Sequence, residues 1–301
     1  MTTLKLLAPA KINLTLKILS KRPDGYHNLL SLMQTVSLYD RLKISKISKN
    51  DIEVLSNIKS ISNKNNLCYK IANILKTKYK ISQGIKIEIK KNIPIGSGLG
   101  GASSDAAATA EGIIKLFNLK INRNQLINIC SQVGKDIPFF LYKGLCLVEK
   151  TGEKVTKIKF KNLENNPLWY VIIWPNKSLS TKEVYKMFDK LKEKKYYKIS
   201  KKDILSILKK YKKFDEKLIK KLLINDLETP AFKIYPQLKK IKNNIYSKNP
   251  LVCMSGSGSS LFVVFNSKAK AINFKKSVEK EAKKNYLFRN CKLFVVKSVF
   301  N

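Results

Sequence analysis

The sequence predicts an α+β fold, because strand-like and helix-like segments follow one another without the regular strand–helix period of a doubly wound sheet. Strand-like segments alternate between apolar and polar residues, and helix-like segments carry apolar residues every three or four positions. The chain has 301 residues, 44% of them hydrophobic. This is long enough for about two domains with buried cores.

The first ninety residues are predicted to be mostly strands. Residues 4–6, 12–16 and 85–89 alternate with period two, the first two segments lying on either side of Ala8-Pro9-Ala10. One helix is expected between the second and third segments, because apolar residues recur at positions i, i+4, i+7 and i+8. These residues are Leu67, Ile71, Ile74 and Leu75.

Glycine is concentrated in residues 96–101 and gives way to the alanine-rich stretch 102–110, which predicts a loop that leads into a helix. A second helix is predicted for residues 122–133 and should end at Gly134. A short segment at 136–140 follows, and strands resume near Gly144.

The polar stretch 159–167 is predicted to be the boundary between two domains, 1–160 and 161–301. Beyond it, the lysine-rich 190s and 210s are expected to form surface helices or loops, and 255–260 a glycine-serine turn. Strands are predicted for residues 168–174, 261–265 and 293–299, and helices for 181–191, 231–246 and 269–284.

The formal charge of +39 suggests a polyanionic partner, but the residue types argue against a dedicated nucleic-acid reader. The basic residues are nearly all lysines scattered along the chain among many Ile and Asn, which is typical of a compositional bias. Proteins that recognise nucleic-acid sequences typically use Arg for bidentate hydrogen bonds to bases and phosphates. The arginines here are Arg22, Arg41, Arg123 and Arg289.

Several functional classes are excluded by residue counts. A single histidine, His27, rules out multi-histidine metal sites, and any Ser-His-Asp chemistry would have to use it. The five cysteines are far apart, which disfavours a disulfide scaffold or zinc ribbon and favours a reducing compartment. No apolar run approaches the roughly 18 residues of a membrane span, and Lys5 and Lys11 interrupt the N-terminal segment. We therefore expect a soluble, cytoplasmic protein with no membrane partner.

The glycine loop fits two familiar nucleotide motifs only superficially. Gly96, Gly98 and Gly101 match a dinucleotide fingerprint, but no acidic residue follows about 20 positions later. Gly96 and Gly101 have the spacing of a P-loop, yet Ala102 and Ser103 occupy the positions of its lysine and hydroxyl. Neither motif is therefore assigned.

The loop nevertheless has the chemistry of a phosphate site. Its glycines allow backbone N–H groups to approach an anion, Ser103 and Ser104 add hydroxyl donors, and the next helix directs its positive end to the same place. The alternative is a turn that only caps the helix. From the loop alone, the ligand is a nucleotide or a phosphate ester.

Three segments in order resemble the motifs of the galactokinase, homoserine kinase, mevalonate kinase and phosphomevalonate kinase (GHMP) superfamily. Residues 94–107 (PIGSGLGGASSDAA) resemble its phosphate-binding motif, residues 8–14 (APAKINL) its N-terminal motif and residues 254–259 (MSGSGS) its C-terminal motif. The resemblance implies two α+β domains, an N-terminal one like ribosomal protein S5 and a C-terminal ferredoxin-like one, with the active site in the cleft between them.

Further segments are similar to one branch of this superfamily, the kinases that phosphorylate the 2-hydroxyl of a cytidine-diphosphate-linked methylerythritol in non-mevalonate isoprenoid synthesis. These segments are residues 22–27 (RPDGYH), 34–36 (QTV) and 134–140 (GKDIPFF). The similarity covers nearly the whole chain and is weaker between about residues 186 and 222. Lys135 departs from the branch, in which a small residue usually precedes the aspartate, so it either perturbs the pKa of Asp136 or points to solvent.

The resemblance implies catalytic roles for Lys11 and Asp136. Asp136 would accept the proton of the acceptor hydroxyl, with Pro138 favouring a non-helical backbone near Ile137. Lys11 would hold Asp136 ionised and attract the γ-phosphate. Asn13, on the same face of a strand as Lys11, would bind a substrate hydroxyl.

The remaining assignments concern the two ligands. Tyr26 and Tyr185 match aromatic residues that stack on the cytosine, and His27 matches one that hydrogen-bonds it; Thr181, Gly256 and Ser257 complete the substrate set. ATP is expected with Mg²⁺ held largely by phosphates and water, so no metal ligand is assigned. The ATP-binding residues would be Asn66, Pro94, Gly96, Ser97, Gly98, Leu99, Gly100, Gly101, Ala102, Ser103 and Ser104.

Two other functions remain open from the sequence. A basic RNA-binding protein is one, although aromatic residues do not cluster with basic ones as RNA recognition requires. A kinase of the same superfamily with another acceptor, such as homoserine or mevalonate, is the second. The sequence predicts no specific nucleic-acid partner and does not define an oligomeric state.

Overall fold

In the computed structural model, residues 3–159, 161–191 and 199–300 are described, and they form two sheets covered by helices. The predicted α+β class is confirmed. The strands are β1 (Thr3–Lys21), β2 (His27–Ile47), β3 (Ile52–Ser56), β4 (Gly84–Lys90), β5 (Leu145–Lys150), β6 (Lys154–Lys157), β7 (Trp169–Trp174), β8 (Ile224–Asn225), β9 (Val252–Met254), β10 (Leu261–Phe265) and β11 (Lys292–Lys297). The helices are α1 (Leu67–Lys78), α2 (Gly101–Leu116), α3 (Arg123–Val133), α4 (Ile137–Tyr142), α5 (Lys161–Asn165), α6 (Thr181–Lys190), α7 (Lys201–Lys210), α8 (Glu216–Leu222), α9 (Glu228–Ile234), α10 (Pro236–Lys248) and α11 (Lys268–Ala282).

The first sheet has the order β3-β4-β2-β1-β8, with β5 bridging β2 and β6. One edge of β2 pairs along its length with β1, and the other pairs with β5 through residues 29–34 and with β4 through residues 41–47. Between β5 and β4, Asp40 Oδ1 accepts hydrogen bonds from the backbone N–H groups of Asn92 and Ile93, at 2.6 and 2.8 Å. The chain that leads into the glycine loop is thereby attached to the centre of the sheet.

The first strand is a single long element, whereas the sequence predicted two segments. Its pairing with β2 shifts register between Pro9 and Ala10 and at two later points. Proline is tolerated in a strand where the ladder is irregular, because its missing N–H is not required there. The irregularity therefore joins the two predicted segments rather than ending the first.

The helices predicted between residues 67 and 133 are confirmed as α1, α2 and α3. Asn122 and Gln125 form a reciprocal capping box at the start of α3. The expectation of a non-helical backbone near Ile137 is wrong, because residues 137–142 form α4 with Pro138 in its first turn. A proline in the first turn removes no intrahelical hydrogen bond, and burial of the apolar residues of α4 favours the helix.

The second sheet has the order β11-β7-β10-β9, with every pair antiparallel. This is a β-α-β-β-α-β arrangement, with α11 between β10 and β11. Its predicted strands are confirmed to within one or two residues, as are α6 and α11. The helix predicted at 231–246 is in fact two, α9 and α10, because Pro236 starts a new helix and restricts Tyr235 before it. Of the lysine-rich stretches, residues 192–198 lie outside the described residues.

The two halves of the chain share the first sheet. Strand β8 pairs in parallel with β1, joining Thr15 to Ile224 and Leu16 to Asn225. The predicted boundary at 160/161 stays a prediction. None of the helices in the described part of the chain is both long and apolar enough to cross a membrane.

Candidate active site

Two glycine-rich turns lie face to face, one at residues 94–101 and the other at 255–260. The Ser260 N–H donates to the Ser97 carbonyl at 3.0 Å, and Ser255 Oγ donates to the Gly98 carbonyl at 3.0 Å. Gly98 has a φ of +79°, and a Cβ there would lie 2.1 Å from the Ser255 carbonyl oxygen. Only glycine therefore permits this backbone-to-backbone contact between the two halves of the chain.

The first turn ends at the N-terminus of α2, as the sequence predicts. Gly100 is the residue before the helix, with a left-handed φ of +74°. A Cβ at this position would lie 2.8 Å from the ring of Phe140 and 3.0 Å from Lys11 Cγ. The loop thus packs against β1 and α4. The first residues of α2 line the cavity described below, and a helix N-terminus with free N–H groups is suited to binding anions.

A cavity of about 530 Å³ lies in front of the loop. Its volume is in the range of small-molecule and cofactor sites. Most of the residues assigned from the sequence line it. They are Lys11, Asn13, Asn66, Pro94, Gly96, Ser97, Gly98, Gly100, Gly101, Ala102, Ser103, Asp136, Thr181, Tyr185, Gly256 and Ser257.

Leu99 and Ser104, also assigned to ATP, lie behind this lining. Both are buried, and the Leu99 carbonyl accepts a hydrogen bond from the Lys11 N–H at 2.9 Å. The Ser104 N–H donates to the Gly100 carbonyl as the first turn of α2 forms. In this geometry the two residues support the loop from inside the protein.

Asn66 has a structural role in addition to its place in the cavity lining. Its Oδ1 accepts from the Cys68 N–H at 2.9 Å and caps α1, while its Nδ2 donates to the Ile61 carbonyl at 2.8 Å. These bonds fix the side chain at one wall of the cavity.

Lys11 and Asp136 meet at the base of the cavity. Lys11 Nζ lies 3.9 Å from Asp136 Oδ2 and donates a 2.6 Å hydrogen bond to Asn13 Oδ1. Asn13 Nδ2 in turn donates to Ser31 Oγ at 2.9 Å. Burial lowers the pKa of Lys11, and the Asp136 carboxylate opposes this effect. A desolvated ammonium beside a half-exposed carboxylate is suited to proton transfer next to a phosphoryl group.

Of the three residues assigned to the cytosine, Tyr185 lines the cavity, whereas Tyr26 and His27 do not. Tyr26 is 54% exposed, with Lys135 Nζ 5.6 Å from its ring centroid. His27 is buried, its ring centroid 5.2 Å from that of Tyr185 and its Nε2 2.8 Å from Asp189 Oδ1. The Tyr26 ring is thus largely exposed with Lys135 near it, whereas recognition of a ligand by His27 Nε2 would require its pair with Asp189 to open.

The C-terminal turn is held by Asn225, which the sequence analysis did not single out, and by the assigned residues Thr181 and Ser257. Asn225 Nδ2 donates to the carbonyls of Met254 and Gly256, each at 2.8 Å, and its Oδ1 accepts from the Leu227 N–H. Thr181 Oγ1 and Ser257 Oγ are 2.9 Å apart and hydrogen-bonded. A polar residue within the apolar run Leu-Leu-Ile-Asn-Asp-Leu at 222–227 was the available signal for Asn225.

A second unpredicted cluster lies beside the glycine loop. Lys91 Nζ donates to Asp40 Oδ2 and, at 2.7 Å, to Asp105 Oδ2, with all three side chains buried. Although burial disfavours its charge, the two carboxylates raise the pKa of Lys91. Burial raises the pKa of Asp105 to about 7, opposed by Lys91 and reinforced by Asp40. No local sequence pattern pairs residues so far apart.

Within the described residues, no group of three or more His, Cys, Asp and Glu side chains could hold a metal ion. The polar groups of the cavity are instead hydroxyls, side-chain amides, backbone N–H groups and two lysine–aspartate pairs. Such a lining suits an anionic ligand.

The fold and the facing glycine turns define a class, the ATP-dependent small-molecule kinases of the GHMP superfamily. Residues 66–144 match the family model for the GHMP kinase N-terminal domain, and residues 207–284 match that for the GHMP kinase C-terminal domain. The two-domain α+β architecture implied by the resemblance is thereby confirmed. The crystal structure of a homoserine kinase from Cytophaga hutchinsonii has the same fold, with a TM-score of 0.73 at 20% identity over 100% of this chain and 96% of that one.

Proteins with higher sequence identity to this chain indicate one family within this class. The 4-diphosphocytidyl-2-C-methyl-D-erythritol kinase of Caldicellulosiruptor saccharolyticus is 39% identical over 89% of this chain and 90% of its own length. That of Clostridioides difficile is 36% identical over 95% of both chains. A crystal structure of 4-(cytidine 5'-diphospho)-2C-methyl-D-erythritol kinase superposes with a TM-score of 0.75 at 27% identity, covering 98% of this chain and 99% of that one. The chain belongs to the 4-diphosphocytidyl-2-C-methyl-D-erythritol kinase family.

Proposed function

We propose that the protein transfers the γ-phosphoryl group of ATP to the 2-hydroxyl of 4-diphosphocytidyl-2-C-methyl-D-erythritol, with Lys11 and Asp136 as catalytic residues. The observation that carries the proposal is the Lys11–Asp136 pair, 3.9 Å apart, at the base of a cavity whose wall is the glycine loop. Because the reaction consumes ATP, we place it in the cytoplasm.

The triphosphate of ATP would lie along residues 96–103, at the N-terminus of α2. Backbone N–H groups of the loop and the positive end of the helix favour negative charge there. Mg²⁺ would arrive with the nucleotide and neutralise phosphate charge. Its ligands would be mainly phosphate oxygens and water, which fits a site whose described residues include no cluster of carboxylates.

Asp136 would accept the proton of the acceptor hydroxyl as that oxygen attacks the γ-phosphorus. At 38% exposure its side chain can reach a substrate in the cavity, and its backbone is fixed at the start of α4. Lys11 would orient the hydroxyl and stabilise negative charge in the transition state, because its ammonium is buried and already aligned by Asn13.

The cytidine part of the substrate would bind on the side of Tyr26 and Tyr185. The exposed ring of Tyr26 would stack on the base, and the Thr181–Ser257 pair brings two hydroxyls to the cavity lining that also contains Tyr185. Asn13 would bind a hydroxyl of the alcohol next to the catalytic pair.

The direct test is an assay of ADP formation by the purified protein with ATP, Mg²⁺ and 4-diphosphocytidyl-2-C-methyl-D-erythritol, with mevalonate and homoserine as alternative acceptors. We expect turnover with the cytidylylated alcohol and kcat/KM values at least about a hundredfold lower with the other two, since each lacks the base that the aromatic side chains bind. Comparable turnover of mevalonate or homoserine would overturn the assignment of the acceptor.

A further inference from the structure

The cluster of Asp40, Lys91 and Asp105 places two carboxylates on one ammonium in the protein interior. Asp40 is fully buried and Asp105 is 3% exposed. With all three groups ionised the cluster has a net charge of −1, which is costly away from water. One carboxyl is therefore the natural site for a proton.

The hydrogen bonds distinguish the two carboxyls. Asp40 uses both oxygens, since Oδ2 accepts from Lys91 and Oδ1 accepts from the N–H groups of Asn92 and Ile93. Asp105 accepts from Lys91 through Oδ2, and its buried Oδ1 has no hydrogen-bond partner among the described residues. The ionised form is thus better stabilised at Asp40 than at Asp105, which agrees with the raised pKa of Asp105, about 7.

The cluster also lies at the phosphate end of the cavity. Lys91 and Asp105 both belong to the cavity lining, together with Gly101, Ala102 and Ser103. Lys91 Nζ is 3.1 Å from the position that a Cβ on Gly101 would occupy. An ionised Asp105 would therefore repel the same phosphate groups that the loop and helix attract.

We propose that Asp105 takes up a proton from solvent when the phosphates of ATP occupy the glycine loop, so that nucleotide binding is coupled to protonation of this buried carboxyl. The inference rests on the proposed placement of ATP. By linkage, the proton and the nucleotide strengthen each other's binding by the same factor. Asp105 acts here as a positioning residue, and Asp136 remains the general base of the reaction.

Other ionisable groups face this region. Asp40 approaches Asp105 from β2, Lys91 from the end of β4 and the Cys68 thiol from α1. Lys11 on β1 and Asp136 before α4 line the same cavity. Lys11 is the main competitor for the proton, because burial lowers the pKa of its ammonium while it raises that of the Asp105 carboxyl.

The test is calorimetry of ATP binding at about pH 8, where the phosphates of free ATP are ionised, in two buffers with different heats of ionisation. Wild-type protein should take up on the order of half a proton or more per ATP. Asp105→Asn keeps an acceptor for Lys91 and should abolish the uptake. Glu279→Gln, the same loss of charge on the outer face of α11, should behave like wild type.

The ATP affinity gives a second readout. Between about pH 7 and pH 9 the Kd of wild-type protein should rise by up to about tenfold per pH unit, whereas that of Asp105→Asn should stay nearly constant. Uptake that persists in a folded Asp105→Asn protein would assign the proton to another group, such as Lys11, and would overturn the inference while ATP binding stands. Absence of ATP binding to wild-type protein would overturn the proposed function and the inference together.

A third measurement needs no variant. Infrared difference spectra of wild-type protein should show a band of a protonated carboxyl that grows when ATP binds. If Asp105→Asn fails to fold, absence of this band in wild-type protein would still overturn the inference.

Discussion

Lys11 and Asp136 are 125 positions apart in the sequence, yet Lys11 Nζ lies 3.9 Å from Asp136 Oδ2. Strand β1 carries the first residue, and the start of α4 presents the second. The glycine loop lies against both, since Gly100 is in contact distance of Lys11 and of Phe140 in α4. The pair and the glycine loop are therefore packed against each other.

Replacement of Asp136 by Asn should impair the chemical step. Asn keeps the size of the side chain and removes the carboxylate that would accept the proton. Because a positioned general base contributes about 10²–10⁴-fold, kcat should fall by that factor with little change in ATP affinity. Rapid-quench kinetics would measure the step itself, with Asp51→Asn, remote from the cavity, as the control. Near-normal kcat with chemistry rate-limiting would refute the assigned base.

Lys11→Met should also reduce kcat severely, and its combination with Asp136→Asn tests whether the two residues act together. If both act on one hydroxyl, the double variant should lose less than the product of the two single losses. Steady-state kcat/KM of the four proteins closes the cycle. As a control, Lys11→Met is combined with Tyr26→Ala. These two residues contact different parts of the substrate, so the factors by which the substitutions lower kcat/KM should multiply. If the factors for Lys11→Met and Asp136→Asn also multiplied, the two residues would not share a target.

Tyr26→Ala should weaken binding of the cytidylylated substrate by roughly 1–3 kcal/mol, the contribution of one base–aromatic stack, and should chiefly raise KM. The ring is already 54% exposed, so its loss should leave the fold intact. Tyr286→Ala removes a 65% exposed ring outside the cavity and serves as the matched control. A large fall in kcat at unchanged KM would show that Tyr26 does not bind the base.

Asn225→Ala should destabilise the protein and disorder the C-terminal turn. The change leaves the carbonyls of Met254 and Gly256 without their donor in a buried site, which costs roughly 1–3 kcal/mol for each group affected. Chemical denaturation measures the loss, and KM for both substrates should rise because the turn lies on the glycine loop. Asn273→Ala, at an exposed position of α11, should change neither the stability nor KM. Equal stability of the two variants would show that Asn225 does not hold the turn in place.

The stability of the nucleotide-free protein should depend on pH through Asp105. Its pKa is raised from 3.8 to about 7 by burial, so the folded state binds more protons than the unfolded state between these values. The contribution of Asp105 to the free energy of unfolding is therefore greatest below about pH 4 and decreases as the pH rises toward 7. Relative to wild type, Asp105→Asn should gain stability from pH 5 to pH 8 in denaturant titrations. A constant difference across that range would contradict a raised pKa.

The sequence by itself determined the α+β class, the longer helices and strands after residue 66, and the glycine loop that leads into α2. These elements are α1, α2, α3, α6, α11, β4, β7, β10 and β11. These features follow from local patterns, namely periodicity, capping residues and glycine content, which act over one element or one turn. The resemblance of three ordered motifs to GHMP kinases then led to the family. Two errors, α4 and the break between α9 and α10, occur at prolines, whose effect on a helix depends on their position in it. The short elements β6, α5, β8 and β9 were not predicted, because segments of two to five residues carry too little periodicity.

Only the tertiary structure decided which distant side chains meet. The contact between the turns at residues 98 and 255, the anchoring of the C-terminal turn by Asn225 and the Asp40–Lys91–Asp105 cluster join residues 14 to 157 positions apart. Among the scattered lysines, no local pattern distinguishes Lys91 from those exposed to solvent, and Lys11 is distinguished only by the family resemblance of residues 8–14. Their chemistry depends on burial and on partners brought together by the sheet, and these are properties of the folded chain rather than of any segment.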